Sequence, residues 1–95
     1  AVHMSAGETF RPFVGMEVVI DTTSSYVFIG TLVEVTDHML TLKDVDVHDR
    51  TESTSTKERY VMEAKKFGVK MNRRGATVRI ETVVCISRLA DIVEY

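Results

Sequence analysis

A long strand interrupted by a glycine constrains the fold of this chain more than any other feature. Residues 26–36 are rich in β-branched and aromatic side chains, which favour strands. Gly30 lies in the middle of that run, and a glycine inside a strand usually marks a bend, a bulge or a close backbone approach. Because a bent strand can serve two sheets at once, this run predicts a small and strongly curved β-structure.

Two further strands flank the long one and are joined to it by short polar turns. The apolar side chains of residues 16–20 recur with a period of two, which is typical of a strand. Residues 21–25 form one polar turn, residues 36–38 form the next, and a third strand follows over residues 39–48. Three consecutive strands with short turns predict an antiparallel meander.

A helix with clear start and stop signals follows the meander. Ser55 and Glu58 fit a capping box, in which each side chain accepts a hydrogen bond from a backbone N–H of the first turn. Gly68 is suited to end the helix. The apolar residues between these signals have helical spacing: Tyr60, Val61, Ala64 and Phe67. The signals together predict one helical insertion over about residues 54–68.

The segments before the meander and after the helix are less regular. Residues 5–15 are loop-like, and Pro12 limits any helix there to a single turn. Four elements are predicted after the helix: a short strand at 69–71, a turn at 72–75, a strand at 78–86, and a final strand, or turn plus strand, at 89–93. The predicted order is therefore β-β-β-α-β-β.

Length and composition place these elements in one small domain. The chain has 95 residues, of which 44% are hydrophobic and 27% are charged, and this composition is ordinary for a globular protein. Residues 1–4 are interpreted as a cloning remnant with Met4 as the native start, which leaves a single domain over residues 5–95. A domain of this size has a thin core, and oligomerisation would stabilise it.

Cysteine usage and hydropathy favour the cytoplasm. The single cysteine, Cys85, cannot form an internal disulfide, and small secreted domains usually contain several cysteines. Cys85 belongs to an apolar strand, where a cysteine is most often a small buried hydrophobe. No apolar run approaches the roughly 18–20 residues that a membrane span needs, and there is no signal-peptide pattern. We therefore expect a cytoplasmic protein with no membrane partner.

Charge is distributed unevenly along the chain. Residues 1–56 carry a net charge of −6 and residues 57–95 carry +4, which together give the overall charge of −2. Most of the positive charge lies between Lys57 and Arg79. Such a segment can bind an anionic partner such as nucleic acid. It can equally face the acidic half of a neighbouring subunit.

Three stretches of the chain resemble the first motif of the Sm and LSm proteins. They are residues 13–20, residues 28–33 with the central Gly30, and the turn Asp37-His38-Met39. Downstream, residues 80–84 are similar to the second motif of the bacterial Sm-like RNA chaperone Hfq. The two blocks of similarity are separated by the predicted helix.

The resemblance implies a mainly β fold, an Sm-like (SH3-like) five-stranded bent antiparallel barrel with one α-helix inserted between strands 3 and 4. It also implies a homo-oligomeric ring in which the fourth strand of one subunit pairs with the fifth strand of its neighbour, so that the sheet edges are covered. Leu40 stands where the family has an RNA-binding asparagine. The nearest match to the family's Ile-Arg-Gly signature is Ile86-Ser87-Arg88.

Single-stranded RNA is the partner that the resemblance implies, and it identifies six candidate residues. An imidazole in the turn would stack on a base, one arginine would take the place of the family's pore arginine, and two more would add an outer basic site. The turn provides Asp37, His38 and Met39. The arginine in place of the pore arginine is Arg88, and the outer basic site consists of Arg73 and Arg74. The alternative for residues 37–39 is a plain β-turn. The alternative for Arg88 is an exposed or salt-bridged residue, and for Arg73 and Arg74 it is a solvated turn.

A third pattern is compatible with a divalent metal ion. Asp44, Asp46 and His48 alternate, which predicts that all three lie on one face of a strand. The solvated outer face of an antiparallel strand produces the same pattern, and no second cluster completes a coordination shell. No phosphate loop, nucleophile elbow or pair of catalytic carboxylates is present in the sequence, so we expect neither enzyme activity, nor a metal site, nor a cofactor.

The sequence supports two hypotheses of function. The first is an Sm-like ring-forming module that binds single-stranded RNA at the turn formed by residues 37–39. The second is a structural or scaffolding homo-oligomer that does not bind nucleic acid, in which the basic segment at residues 57–79 docks against the acidic half of a neighbour. Motif spacing favours the first hypothesis. Leu40 and the sequence pI of about 5.9 favour the second.

Overall fold

The computed structural model describes residues 6–52 and 56–94. Within them, a five-stranded antiparallel sheet carries one α-helix between its third and fourth strands. This arrangement confirms the fold that was predicted. The elements are β1 (Glu17–Thr22), β2 (Tyr26–Val35), β3 (Met39–Asp49), α1 (Lys57–Phe67), β4 (Arg73–Arg79) and β5 (Val83–Arg88), with short 3₁₀ helices at Ala6–Phe13, Ile80–Thr82 and Leu89–Asp91. The order across the sheet is β4-β3-β2-β1-β5.

The predicted bend in β2 lies at Gly30. In the ladder between β2 and β3, Ile29 pairs with Asp46 and Thr31 pairs with Lys43, so two residues of β3 lie opposite one glycine. One of those two, Asp44, has a positive φ of 51°. A Cβ atom on Gly30 would lie 3.0 Å from the carbonyl oxygen of Lys43. The glycine is therefore required by a close backbone approach at a bulge, which confirms its predicted role.

The sheet buries apolar side chains on both of its faces. The inner core, enclosed by the bent sheet, consists of Val18, Ile20, Leu32, Val35, Leu40, Leu42, Val45 and Val78. The outer core lies beneath the helix and consists of Val19, Val27, Ile29, Val61, Ala64 and Leu89. Three consecutive residues of β1, Val18 to Ile20, are buried because the strand is covered on both sides.

Local signals fix both ends of α1. At its start, Thr56 has an extended backbone and its hydroxyl accepts a hydrogen bond from the Arg59 N–H at 3.2 Å. At its end, Gly68 has a φ of 92° and its N–H donates to the carbonyl of Ala64, which confirms the predicted stop. Ser55 of the predicted capping box lies outside the described residues. Among the residues that are described, no helix has the length and apolarity to cross a membrane.

The strands after α1 differ from the prediction in their positions. Residues 72–75 were predicted to form a turn, but Arg73 begins β4, where it pairs with Val45. The prediction is wrong because β4 is an edge strand of the sheet, and edge strands tolerate the charged and glycine residues that also occur in turns. Residues 78–86 were predicted as one strand. The 3₁₀ helix Ile80–Thr82 divides them, since β4 pairs with β3 whereas β5 pairs with β1.

Four smaller predictions are also wrong. Residues 69–71 form no strand, because the ladder begins only after Asn72, whose side chain exchanges hydrogen bonds with the backbone of Val47. Residues 89–93 form a 3₁₀ turn and irregular chain instead of a strand. The N-terminal 3₁₀ helix spans eight residues instead of a single turn, with Pro12 as its penultimate residue. Finally, Cys85 is exposed, because β5 is an edge strand.

Candidate nucleic-acid interface

The turn between β2 and β3 is held by one threonine side chain. The hydroxyl of Thr36 accepts hydrogen bonds from the backbone N–H groups of His38, at 3.3 Å, and of Met39, at 3.0 Å. The Thr36 N–H donates to the carbonyl of Met39 at 2.9 Å. These bonds satisfy the backbone of the turn locally, as threonine does in such motifs. The side chains of Asp37, His38 and Met39 therefore remain exposed at its surface.

The turn is also fixed from two sides by other parts of the chain. The backbone N–H of Ile80 donates to the carbonyl of His38 at 2.9 Å, and Met39 pairs with Arg79 in the ladder between β3 and β4. On the other side, the N-terminal 3₁₀ helix approaches so closely that a Cβ atom on Gly7 would lie 2.2 Å from the carbonyl oxygen of Thr36. The turn is a rigid part of the surface because both neighbours hold it.

These contacts create a cavity of about 400 Å³ at the turn, and we call it the turn site. Its lining consists of Ala6, Asp37, His38, Met39, Arg79, Ile80 and Glu81. The site offers an imidazole, a thioether, a guanidinium and two carboxylates. Arg79 forms an ion pair with Glu81 at 3.3 Å, with both side chains about two-thirds exposed. Such an exposed pair is worth little, so the guanidinium can exchange its partner.

The structure groups one residue with the turn that the sequence interpretation did not select. Arg79 lies at the end of β4, directly across the ladder from Met39. It immediately precedes residues 80–84, which resemble the second family motif. The usable signal was the arginine next to that motif, but the strand-like composition of residues 78–86 gave no sign of where β4 ends.

Leu40 lies in the inner core and is fully buried. It was aligned with the position at which the family has an RNA-binding asparagine. A fully buried side chain cannot contact a ligand at the surface, so the side chain available at this end of β3 is that of Met39, which is 36% exposed. Leu40 therefore contributes no side chain to the surface of the turn site.

Arg88 lies in a different place from the turn. It lines a separate cavity with Met16 and Lys65, and its guanidinium forms two hydrogen bonds of 2.8 Å to the carboxylate of Asp91. This ion pair raises the pKa of Arg88 and lowers that of Asp91. The structure does not bring Arg88 together with the turn site, and its contact with phosphate stays a prediction.

Arg73 and Arg74 are the first two residues of β4, and both are exposed. Their side chains point to opposite faces of the strand because side chains alternate along it. Neither of them lines the turn site. The outer basic site proposed for them also stays a prediction.

The pattern of Asp44, Asp46 and His48 does not form a common face. The bulge at Asp44 interrupts the alternation, so Asp44 is exposed while Asp46 is buried. Within residues 6–52 and 56–94, no group of three or more His, Cys, Asp or Glu side chains is arranged to hold a metal ion. The metal interpretation is not supported by this arrangement.

Asp46 instead belongs to a polar cluster beneath α1. Its carboxylate accepts hydrogen bonds from the hydroxyl of Tyr60 and from the side-chain amide of Asn72, and the ring of His48 stacks on that of Tyr60 with 3.7 Å between centroids. Burial, followed by the hydrogen bond to Asp46, raises the pKa of Tyr60. The cluster anchors the first turns of the helix to β3.

Comparison with known proteins supports the architecture. No protein-family model and no curated protein sequence matches this chain. Among solved structures, an Sm protein from Pyrococcus abyssii in complex with a uridine heptamer matches over 85% of this chain and 93% of its own, with a TM-score of 0.53 and 14% sequence identity. At that identity the match describes the fold alone. Together with the strand order and the position of α1, it shows that this chain has an Sm-like fold.

Proposed function

We propose that this chain is the subunit of a homo-oligomeric ring that binds single-stranded RNA at the turn site. The observation that carries this proposal is the grouping of His38, Met39 and Arg79 in one cavity. An exposed imidazole, a polarizable thioether and a guanidinium are side chains on which unpaired bases stack or to which phosphates bind. The structural neighbour from Pyrococcus abyssii, which has the same fold, is in complex with a uridine heptamer.

Each side chain of the turn site has a role in this proposal. His38 stacks on a base, and Asp37 accepts a hydrogen bond from an N–H group of a base edge. Arg79 exchanges its exposed partner Glu81 for a phosphate, to which the guanidinium can donate two parallel hydrogen bonds. The hydrogen bonds of Thr36 hold the turn in place before RNA arrives, which lowers the entropic cost of binding.

Ring formation is supported by the two edges of the sheet. Within the described residues, β4 pairs only with β3 and β5 pairs only with β1, so each leaves one side of its backbone without a strand partner. Val84 on β5 is 67% exposed. An apolar residue on an open edge favours pairing with another strand. Pairing of β4 with β5 of the next subunit would satisfy both edges and close a ring.

A scaffolding oligomer without nucleic acid is the second candidate, and one observation favours it. The turn site contains two carboxylates, from Asp37 and Glu81, against the single guanidinium of Arg79. The local charge therefore opposes a phosphate backbone. In this second function the same edges would assemble the ring, but the turn would bind no RNA.

The test is the affinity of the protein for a fluorescent uridine heptamer. We expect Arg79→Ala and His38→Ala each to weaken binding by about 10-fold, since one base stack or one charged contact is worth about 1–3 kcal/mol. Arg11→Ala is the matched control, because Arg11 is an exposed arginine that does not line the turn site. We expect it to leave the affinity within about 2-fold.

The assembly state is measured in parallel by native mass spectrometry. A ring that does not bind the heptamer would favour the scaffold. Equal losses from Arg79→Ala and Arg11→Ala would contradict the turn site and indicate a general electrostatic attraction. A monomer would contradict the ring.

A further inference from the structure

We infer that the end of the inserted helix provides a second contact for single-stranded RNA, in which a base stacks on Phe67 and basic side chains beside the ring bind the flanking phosphates. We call this surface the helix platform, and it consists of Phe67, Arg59, Lys66 and Lys70. The inference deepens the proposed function, because it requires that the partner is single-stranded RNA. It concerns a part of the chain that lies outside the turn site.

Phe67 contributes little to the core, although the sequence pattern placed it there. Val61 and Ala64, which precede it on the same apolar stripe, are only 4% and 7% exposed. The ring of Phe67 is 71% exposed. A solvated benzyl side chain adds almost nothing to the stability of the fold, because the hydrophobic effect requires burial. The ring is therefore available for an external contact.

Two concave surfaces flank this ring. One has a volume of about 290 Å³ and includes Tyr60, Ala64 and Lys70 in its lining. The other has a volume of about 330 Å³ and includes Arg59, Met62 and Lys66. Phe67 lines both of them. A planar base can thus approach the ring from a recessed surface on either side, as bases do on the aromatic side chains of single-strand-binding proteins.

The side chains around Phe67 include cations that can bind phosphates, together with an equal number of carboxylates. The ammonium group of Lys66 lies 5.5 Å from the centroid of the ring, and both concave surfaces contain at least one further cation. Three carboxylates line these surfaces as well. Glu63 lies 3.5 Å from Arg59 in an ion pair, Asp46 accepts hydrogen bonds from Tyr60 and Asn72, and Glu94 shares a lining with Arg59 and Lys66. The wider segment, residues 57–79, has eight basic side chains and two acidic ones, a net charge of +6. This segment is the main source of positive charge in the chain.

The same observations favour RNA over a protein partner. Protein docking sites are usually continuous apolar patches with a polar rim. Around Phe67 the apolar contribution is limited to Ala64, which is buried, and Met62, which is half-buried, and the other side chains of both linings are polar or charged apart from Gly68. A single exposed aromatic ring with a lysine beside it can bind single strands without requiring a particular sequence.

The helix platform and the turn site lie at different places along β3. Met39, in the turn site, begins the strand, whereas Asp46, which lines one of the two surfaces beside Phe67, lies seven residues further along. Seven residues of strand correspond to about 20 Å. A short oligonucleotide bound at the turns of a ring has few bases left for a second contact. A longer strand can occupy both surfaces of the same assembly.

The test compares the uridine heptamer with a polyuridine strand of about 16 nucleotides, the upper end of the length that one small binding domain covers. We expect Phe67→Ala to weaken binding of the longer strand by about 10-fold and to change the affinity for the heptamer by less than about 2-fold. Phe67→Tyr should restore the affinity, since tyrosine keeps the aromatic face. Lys66→Gln should weaken binding of the longer strand and reduce the salt dependence by about one ion.

Met71→Ala is the matched control, because Met71 is 56% exposed, lies four residues after Phe67 and has no aromatic face. All variants replace exposed side chains, and their thermal midpoints should equal that of the wild type. Unchanged affinity of Phe67→Ala for the longer strand would overturn the helix platform, and so would an equal loss in Met71→Ala, because the loss would then not depend on an aromatic face.

The experiment can contradict the proposal for the turn site while supporting the proposal for the helix platform. Normal heptamer binding by Arg79→Ala, together with a loss in Phe67→Ala on the longer strand, would overturn the turn site and support the platform. If the wild-type protein binds neither strand, both proposals are overturned.

Discussion

The two faces of the sheet are stabilised by different parts of the chain. Every buried residue of the inner core belongs to a strand, and the strands are joined to each other by antiparallel backbone ladders. In the outer core, Val19, Val27 and Ile29 come from strands, whereas the residues that cover them come from α1 and the final 3₁₀ helix. The inner core is thus built by the sheet itself, and the outer core is built by elements placed upon it.

This difference separates the fold from its insertion. The bend at Gly30 and the inner core produce the Sm-like architecture and position the turn site. The helix covers a sheet face that would otherwise expose apolar side chains, and it carries the exposed ring of Phe67 with it. We therefore expect the inner core to determine whether the chain folds and the outer core to determine whether the helix is docked.

Leu40→Ala tests the inner core and should have the largest effect. Leu40 is fully buried among strand residues, and removing its branched end leaves a cavity that the ladders cannot close. We expect a loss of about 2–5 kcal/mol in the free energy of unfolding, measured by urea denaturation. Met39→Ala is the matched control, because the neighbouring side chain is 36% exposed. A loss in Leu40→Ala no larger than that of the control would contradict the assignment of Leu40 to the core.

Val61→Ala tests the outer core and should have a smaller, local effect. Val61 is 4% exposed and packs beneath α1. Its truncation removes two methyl groups, which corresponds to about 1.6 kcal/mol at 0.8 kcal/mol per buried carbon. Native-state hydrogen exchange should show lower protection of the α1 amides and unchanged protection of the amides shared by β2 and β3. Equal loss of protection in both places would mean that the two cores unfold as one unit.

The sequence predicted the parts of the molecule that depend on local signals. The strands β1 to β3, the bend at Gly30 and the stop of α1 at Gly68 each follow from neighbouring residues, and the structure confirms them. The edge strands were misplaced. Arg73-Arg74-Gly75 has the composition of a turn, and nothing in residues 78–86 marks the point at which the chain leaves one edge of the sheet for the other.

The turn site was only half predicted for a related reason. Asp37, His38 and Met39 are contiguous, so a motif can identify them. The place of Arg79 depends on the ladder register with Met39, forty residues earlier in the chain. Similarly, helical periodicity placed Phe67 on the apolar stripe but could not show that the sheet no longer lies beneath the last turn of the helix. The positions of both residues depend on how the strands and the helix pack together, which local sequence patterns do not determine.

Asp21→Asn should give the smallest effect, and it tests a polar contact between the start of α1 and the sheet. The ammonium group of Lys57, at the start of α1, lies 2.8 Å from the carboxylate of Asp21 on β1, and these side chains are 31% and 19% exposed. This ion pair fixes the first turn of the helix to the sheet. Because the ion pair is partly solvated, we expect the substitution to lower the free energy of unfolding by about 0.5 kcal/mol, measured by thermal or urea denaturation. Added salt should reduce this difference. Glu58→Gln is the control, since Glu58 lies 3.9 Å from the same lysine but is 77% exposed. Equal effects of the two substitutions would show that the helix is docked by its apolar contacts alone.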